Sequence, residues 1–154
     1  MRDISLGPYR VADDAAPILV VEIGAMFNQD LDLAFRLVDR VAEARDAEPY
    51  APLILKTEIL NDPEVCLDDD STQVYQSKSG KRREERYRDL IERKVLTLET
   101  YARILDRCKS HGLSVLVSVY TQSGAEFARD QGCVALKTNS GNVTNVAHIR
   151  MVAS

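Results

Sequence analysis

Four short apolar runs punctuate the chain, at 18–23, 53–55, 113–119 and 133–136. Each has the length of a strand and is rich in Val, Ile or Leu. None alternates strictly with polar residues, which is the pattern of strands covered on both faces, as in a parallel sheet flanked by helices. Between the runs, apolar positions recur with helical period. Leu33, Ala34, Leu37, Val38, Val41 and Ala42 fall on one face of a helix that Asp30 can cap, with Asp39, Arg40 and Glu43 turned to solvent. The span 84–110 predicts a second helical stretch carrying Leu90, Ile91, Leu98, Tyr101, Ile104, Leu105 and Cys108, interrupted near 95–97, where Thr97 can cap a restart. Gly112 then occupies the usual C′ position. A shorter helix over 123–130 ends at Gly132, and a fourth begins near Asn145. Strand and helix thus alternate four times, which predicts an α/β fold with right-handed crossovers and a parallel sheet.

The stretch 61–83 departs from this rhythm. It is polar, with Pro63, Gly80, an acidic Asp68-Asp69-Asp70 and a basic Lys81-Arg82-Arg83, and is expected to be a long polar loop. Its Ser79-Gly80-Lys81 is no phosphate loop, because no Gly stands five residues before Gly80 and Arg82 replaces the Ser or Thr. The acidic triplet lacks the Gly and bidentate Glu spacing of a calcium loop and reads as solvated charge.

Length and charge narrow the choice of function. With 154 residues the chain is expected to form a single domain over 1–154. Lys and Arg number 20 against 24 Asp and Glu, a net charge of −4, so the basic surplus that draws phosphate backbones or anionic lipids is lacking. Neither nucleic acid nor membrane is expected as a partner. No apolar run reaches the ~18 residues of a membrane span, the first residues do not read as an export signal, and the three cysteines are odd in number and unpaired in pattern. A cytoplasmic location is the expectation. Two histidines cannot build a multi-histidine metal centre. His111, just before Gly112, sits where a helix C-terminus favours a cation, and His148 has no partner in the pattern; both are expected to be non-catalytic.

Candidate chemistry collects where each apolar run ends. Glu22 interrupts the first, Lys56 closes the second, Ser118 lies near the end of the third, and Lys137 closes the fourth, followed by Thr138, Asn139 and Ser140. In parallel α/β folds the C-terminal strand ends share one rim, and ligands bind there. Two lysines with Ser118 and Ser140 make a site for a doubly charged anion such as a phosphate. An acid within Val20-Val21-Glu22-Ile23 needs a partner, either a reacting group or a structural ion pair.

These same segments resemble the N-acetylneuraminate (sialic acid) synthase family. Val21-Glu22-Ile23-Gly24 with Asn28 and Asp30 is similar to its E-I-G-x-N-H-N-G-D opening, Leu55-Lys56-Thr57-Glu58 to V-K-F-Q, and Val117-Ser118-Val119-Tyr120 to S-T-P-F. The stretch from Leu136 through Lys137, Ser140 and Asn142 to Asn145 is similar to Y-K-I-G-S-G-D-x-T-N and is the most specific. The resemblance implies the first four βα units of a TIM (β/α)8 barrel, hence a partial, half-barrel chain. It implies a carbon–carbon bond-forming transferase that condenses phosphoenolpyruvate with an N-acyl sugar aldehyde to a nonulosonic acid in carbohydrate biosynthesis. Lys56, Ser118, Lys137 and Ser140 then match phosphoenolpyruvate-binding positions, Glu22 matches an acid of the pocket, and Glu58 and Asn142 stand on the sugar side where Gln and an acid are usual. The family's divalent metal (Mn or Mg) is implied, with its ligands absent from this chain. Met26-Phe27, Gln29 and Asn139 replace the family's Asn-His, Gly and Gly. The chain is accordingly expected to be a fragment inactive alone, or a half-barrel completed by another copy or a missing half. The alternative is a non-catalytic phosphosugar-binding or interaction module.

Overall fold

The computed structural model describes residues 3–25, 27–49, 51–77 and 79–154. Its centre is a four-stranded parallel sheet of β3 (Leu19–Gly24), β4 (Leu53–Ile59), β7 (Val115–Val119) and β8 (Ala135–Thr138), in that spatial order. Helices α1 (Leu31–Ala47), α3 (Leu98–Ser110), α4 (Gln122–Asp130) and α5 (Val146–Ala153) follow the four strands in turn. The α/β architecture expected from the apolar runs is therefore present; three strands lie within two residues of their predicted ends, and β4 runs four residues past 55 to Ile59.

Strand alternation sorts the sheet into two unlike faces. Leu53, Leu55, Ile59, Val115, Val117 and Val119 point to one side and are buried against Ala34, Val38, Val41, Tyr101, Ile104 and Cys108 of α1 and α3. On the other side the alternate positions, Lys56, Glu58, Ser118 and Lys137, share a face that α1 and α3 leave uncovered. Helix starts are set by local hydrogen bonds: Asp30, Thr97, Thr121 and Asn145 each accept a backbone N–H of the first turn. His111 caps the C-terminus of α3, as its position implied, and its ring Nε2 also lies 2.9 Å from Asp39 Oδ1, so it ties α3 to α1. His148 is buried on α5, and its Nε2 has no partner among the described residues.

Two hairpins lie outside the apolar pattern. Strands β1 (Ile4–Leu6) and β2 (Tyr9–Val11) pair antiparallel about Gly7, whose φ of +58° places it in the left-handed region. A Cβ there would lie 2.7 Å from Val134 and 3.3 Å from Ser114 Oγ, so this turn packs where β7 and β8 begin, at the N-terminal end of the sheet. The polar stretch 61–83 carries structure of its own. A 3-10 turn, Pro63–Val65, precedes a hairpin of β5 (Thr72–Gln76) and β6 (Arg82–Arg86), so that residues 84–86, predicted as helix, are strand. Cross-strand pairing favours this, with Thr72 Oγ1 donating to Glu84 at 2.7 Å. Helix α2 (Tyr87–Glu92) follows and stops before the break at 93–97.

Candidate functional site

Register brings the strand-end residues together. Glu22 on β3 is level with Lys56 on β4; one rung higher, Glu58 is level with Ser118 on β7, and Ser118 with Lys137 on β8. Strands stand about 4.8 Å apart, so the Glu58–Ser118–Lys137 rung spans roughly 10 Å with the serine at its centre. These side chains line a cleft of about 510 Å3 at the C-terminal rim, together with Lys94, Tyr120, Asn139, Ser140 and Asn142. Lys56, Lys137, Ser118 and Ser140 thus share one end of the sheet, and Glu58 and Asn142 share the cleft with them. Glu22 does not line it directly; it borders the cleft through Lys56.

The charges in this cleft are not equivalent. Lys56, whose side chain is 15% exposed, donates to Glu22 in a short ion pair. The acid that the first apolar run appeared to strand therefore has its partner one strand away. Its backbone is shaped for the purpose: the register slips between Glu22 and Gly24, a bulge, and Gly24 has φ +42° with Glu22 Oε1 only 3.1 Å from where a Cβ would stand. Glu58 is held from the other side by Tyr120, whose hydroxyl donates to Oε2 at 2.8 Å. Burial, reinforced by that carboxylate, pushes the Tyr120 phenol well above its ordinary range, so it remains a donor at neutral pH. Lys137 has no acid partner among the described residues and reaches only the Thr138 carbonyl, at 3.5 Å. Its ammonium, like that of exposed Lys94 on the cleft wall, is left open to an added anion.

The loops that frame the cleft explain the departures in sequence. Asn139 has an extended backbone, φ −71°, and its Oδ1 accepts from Asn142 N at 3.2 Å, closing a 3-10 turn over Ser140–Asn142. A side chain at that position therefore fixes the Ser140 turn where a glycine would leave it free. Asn28 and Gln29 have φ of +49° and +60°, so Gln29 keeps the left-handed conformation although it is not glycine. Phe27 is buried in the core, while Met26 lies outside the described residues.

Three wall residues carried no signal in the sequence. Lys94, Tyr87 and Cys66 reach the cleft because α2 is docked on the 63–65 turn by Arg88. That guanidinium is buried and donates to Glu64 at 2.6 Å, Glu92 at 2.9 Å and the Cys66 carbonyl at 3.2 Å. Tyr120, by contrast, was readable: it stands two residues beyond Ser118 and so shares its face.

A sequence model of the NeuB family matches residues 54–154, which run from the second residue of β4 through β7, β8 and the whole Lys137–Asn145 segment. The chain belongs to the NeuB family. No curated protein matches it. Among solved structures, the N-acetylneuraminic acid (sialic acid) synthetase of Leptospira borgpetersenii, solved with citrate, superposes with a TM-score of 0.75 at 16% identity over 99% of this chain. The spore coat polysaccharide biosynthesis protein SpsE of Bacillus subtilis gives 0.67 at 21% identity over 99%, and a protein described as a putative spore coat polysaccharide biosynthesis protein E of Chromobacterium violaceum gives 0.64 at 14% over 89%. At these identities the likeness is one of fold: four βα units matching part of a NeuB-family TIM barrel. This chain covers 46%, 37% and 38% of those three chains respectively, less than half of each.

Among the described residues no three His, Cys, Asp or Glu side chains come together, and the acids at the cleft are already engaged, Glu22 by Lys56 and Glu58 by Tyr120. The residues present do not fit the divalent ion that the family implies. No helix is long and apolar enough to cross a membrane among the described residues.

Proposed function

We propose that the chain is the phosphoenolpyruvate-holding half of a sialic-acid-synthase-like barrel, a single partial domain over 1–154. The observation that carries this reading is the cleft that unites Lys56, Ser118, Lys137 and Ser140 at one strand-end rim. In this reading the phosphate sits against Lys137, with the Ser118 and Ser140 hydroxyls donating to it and Lys56 held beside it by Glu22. A carboxylate-bearing phosphate ester is neutralised there as its methylene carbon joins the aldehyde carbon of an N-acyl sugar, whose oxygen takes a proton, and water adds at the phosphate-bearing carbon so that phosphate departs. Glu58, oriented by Tyr120, and Asn142 face the sugar and accept or donate hydrogen bonds to its hydroxyls. No step is routed through a metal, and the half alone is expected to turn over no substrate, because it lacks the walls that exclude water. The rest of the barrel comes from another copy or a missing half, and the compartment is the cytoplasm. The engaged state of both cleft acids favours a second reading, a phosphosugar-binding module without catalysis.

Titration with phosphoenolpyruvate and inorganic phosphate, followed by NMR, tests the anion site. Weak binding near millimolar is expected, worth about 4 kcal/mol. Lys137→Ala or Lys56→Ala should remove a charge-assisted hydrogen bond of about 1.5–3 kcal/mol and with it measurable binding, whereas Lys81→Ala on the hairpin should leave it unchanged. Equal loss in all three would show diffuse electrostatics and overturn the site.

A further inference from the structure

The lysines that line the cleft differ in how their charge is met. Lys56 is neutralised by Glu22, whereas Lys137 and Lys94 make no ion pair among the described residues. Acids on and around α2 are engaged by others: Arg88 holds Glu64 and Glu92, Arg93 holds Glu85, and Arg86 holds Asp89. Glu58, on the same wall of the cleft, takes its hydrogen bond from Tyr120. Lys94 stands on the β4 side. It lies just past the end of α2, and two residues on the Leu96 N–H donates to the Leu60 carbonyl at 3.1 Å, which ties this segment to the residue that follows β4. Buried Arg88 fixes α2 to the 63–65 turn, so the segment that bears Lys94 is anchored at both ends. Lys137 lies on β8, two strands away across β7, so the strands beneath the two ammoniums are roughly 10 Å apart. Leu60, Val65 and Ile91 give the α2 side an apolar lining, whereas Ser118 and Ser140 stand on the side of Lys137.

We infer that Lys94 is a second anion-binding residue of the cleft, opposite Lys137, so that the cleft selects a ligand with two separate anionic groups: a phosphoryl group at Lys137 and a carboxylate at Lys94. This rests on the reading of the Lys137 side as the phosphate site and adds a holder for the other charge of the ester. Lys56 is the poorer holder, because its charge is already matched and drawing it away would leave the Glu22 carboxylate without its partner. A ligand with a phosphoryl group at one end, a carboxylate at the other and uncharged carbon between them places one charge at each wall and its carbon against the apolar lining. A lone phosphate meets one ammonium and leaves the other facing water. The apolar lining also reduces screening on the α2 side, which strengthens the attraction between Lys94 and a bound carboxylate. Because this ammonium comes from the connection between β4 and α3 and not from a strand, half of the charge recognition is supplied by the polar insertion and not by the sheet.

Phosphoenolpyruvate and ethyl phosphate share a phosphoryl ester and differ in the carboxylate. Each is titrated into the chain by NMR at about pH 8, where both phosphoryl groups are doubly charged. Phosphoenolpyruvate should bind about five- to tenfold more tightly than ethyl phosphate. Lys94→Ala should abolish that preference by weakening phosphoenolpyruvate alone, Lys94→Arg should retain it, and Lys81→Ala on the hairpin should change neither affinity. Lys94 is exposed, so its variants should keep an unchanged circular dichroism spectrum. Equal affinity of the unsubstituted chain for the two ligands, or a Lys94→Ala chain that loses both in proportion, would overturn the inference; if Lys137→Ala then still abolishes ethyl phosphate binding, the phosphate site stands without it. Binding of neither ligand would remove the phosphate site and the inference together.

Discussion

The two faces of the central sheet are built from the same strands and obey opposite rules. On the helix-covered face the strand residues are Leu, Ile, Val and Thr57, and even that hydroxyl is satisfied, donating to the Gly24 carbonyl at 3.1 Å. On the open face the same strands carry Glu22, Lys56, Glu58, Ser118 and Lys137; Glu22 and Lys56 pair across neighbouring strands and Tyr120 holds Glu58, while Lys137 finds only the Thr138 carbonyl. Burial holds the first face together without regard to direction, whereas the second depends on register: a slip of one residue would carry Lys56 into the core and Leu55 into the cleft. The core therefore fixes the register, and the register assembles the site.

The comparison breaks if substitutions on the two faces behave alike. Leu55 is fully buried between β3 and β7, level with Val21 and Val115. Leu55→Ala should cost about 2–5 kcal/mol by loss of burial and the cavity left behind, read as a lower urea midpoint. Ser118→Ala, on the open face of the adjacent strand, should shift the midpoint far less while weakening phosphate binding. Equal destabilisation by the two would mean that the open face is covered in solution by something tighter than the packing described.

A test of intermediate size concerns the end of the sheet opposite the cleft. Gly7 combines a left-handed φ with a Cβ direction that runs into Val134 at 2.7 Å. Gly7→Ala should cost about 1–2 kcal/mol, from backbone strain and displacement of the hairpin. The loss should appear in thermal unfolding and leave phosphate affinity untouched, since the cleft is at the other end. A change in affinity would show that the two ends communicate through the strands.

How much of this was legible in the sequence depends on which force made each part. The four strands and their helices announced themselves through apolar period and through caps such as Asp30, Thr97 and Asn145, because burial and capping are local in sequence. The strand-end residues followed from the same pattern, as parallel strands share one rim, and the NeuB-family match was legible from the Lys137–Asn145 segment. The β5–β6 hairpin was not, because Thr72–Gln76 and Arg82–Arg86 contain one aliphatic residue, Val74, and owe their pairing to cross-strand partners. Lys94 and Tyr87 were hidden for a related reason: they reach the cleft only through the docking of α2 by Arg88, a contact between residues 22 to 24 apart. The pairing of Glu22 with Lys56 was predicted as a need, for a partner, and the strand register supplies which one.

The smallest expected effect sharpens the same comparison on the outer, helical layer. Asp39 on α1 accepts from Arg107 of α3 at 2.7 and 2.9 Å and from His111 at 2.9 Å. The Arg107 guanidinium, against the opposing effect of burial and with help from His111, holds the Asp39 carboxyl below its ordinary value of 3.8. A carboxyl whose folded pKa is depressed adds stability above its unfolded value, and that contribution disappears as pH falls through the folded one. The wild-type chain should therefore lose part of its stability as pH drops below about 4, and Asp39→Asn should show a flatter slope in that window. The pair is a third exposed, so the difference at neutral pH should be small beside Leu55→Ala. Urea midpoints measured from pH 6 to pH 3 decide it: identical slopes in the two chains would mean that the α1–α3 contact rests on its apolar face alone, and a slope of opposite sign would mean that Asp39 is not the group being protonated.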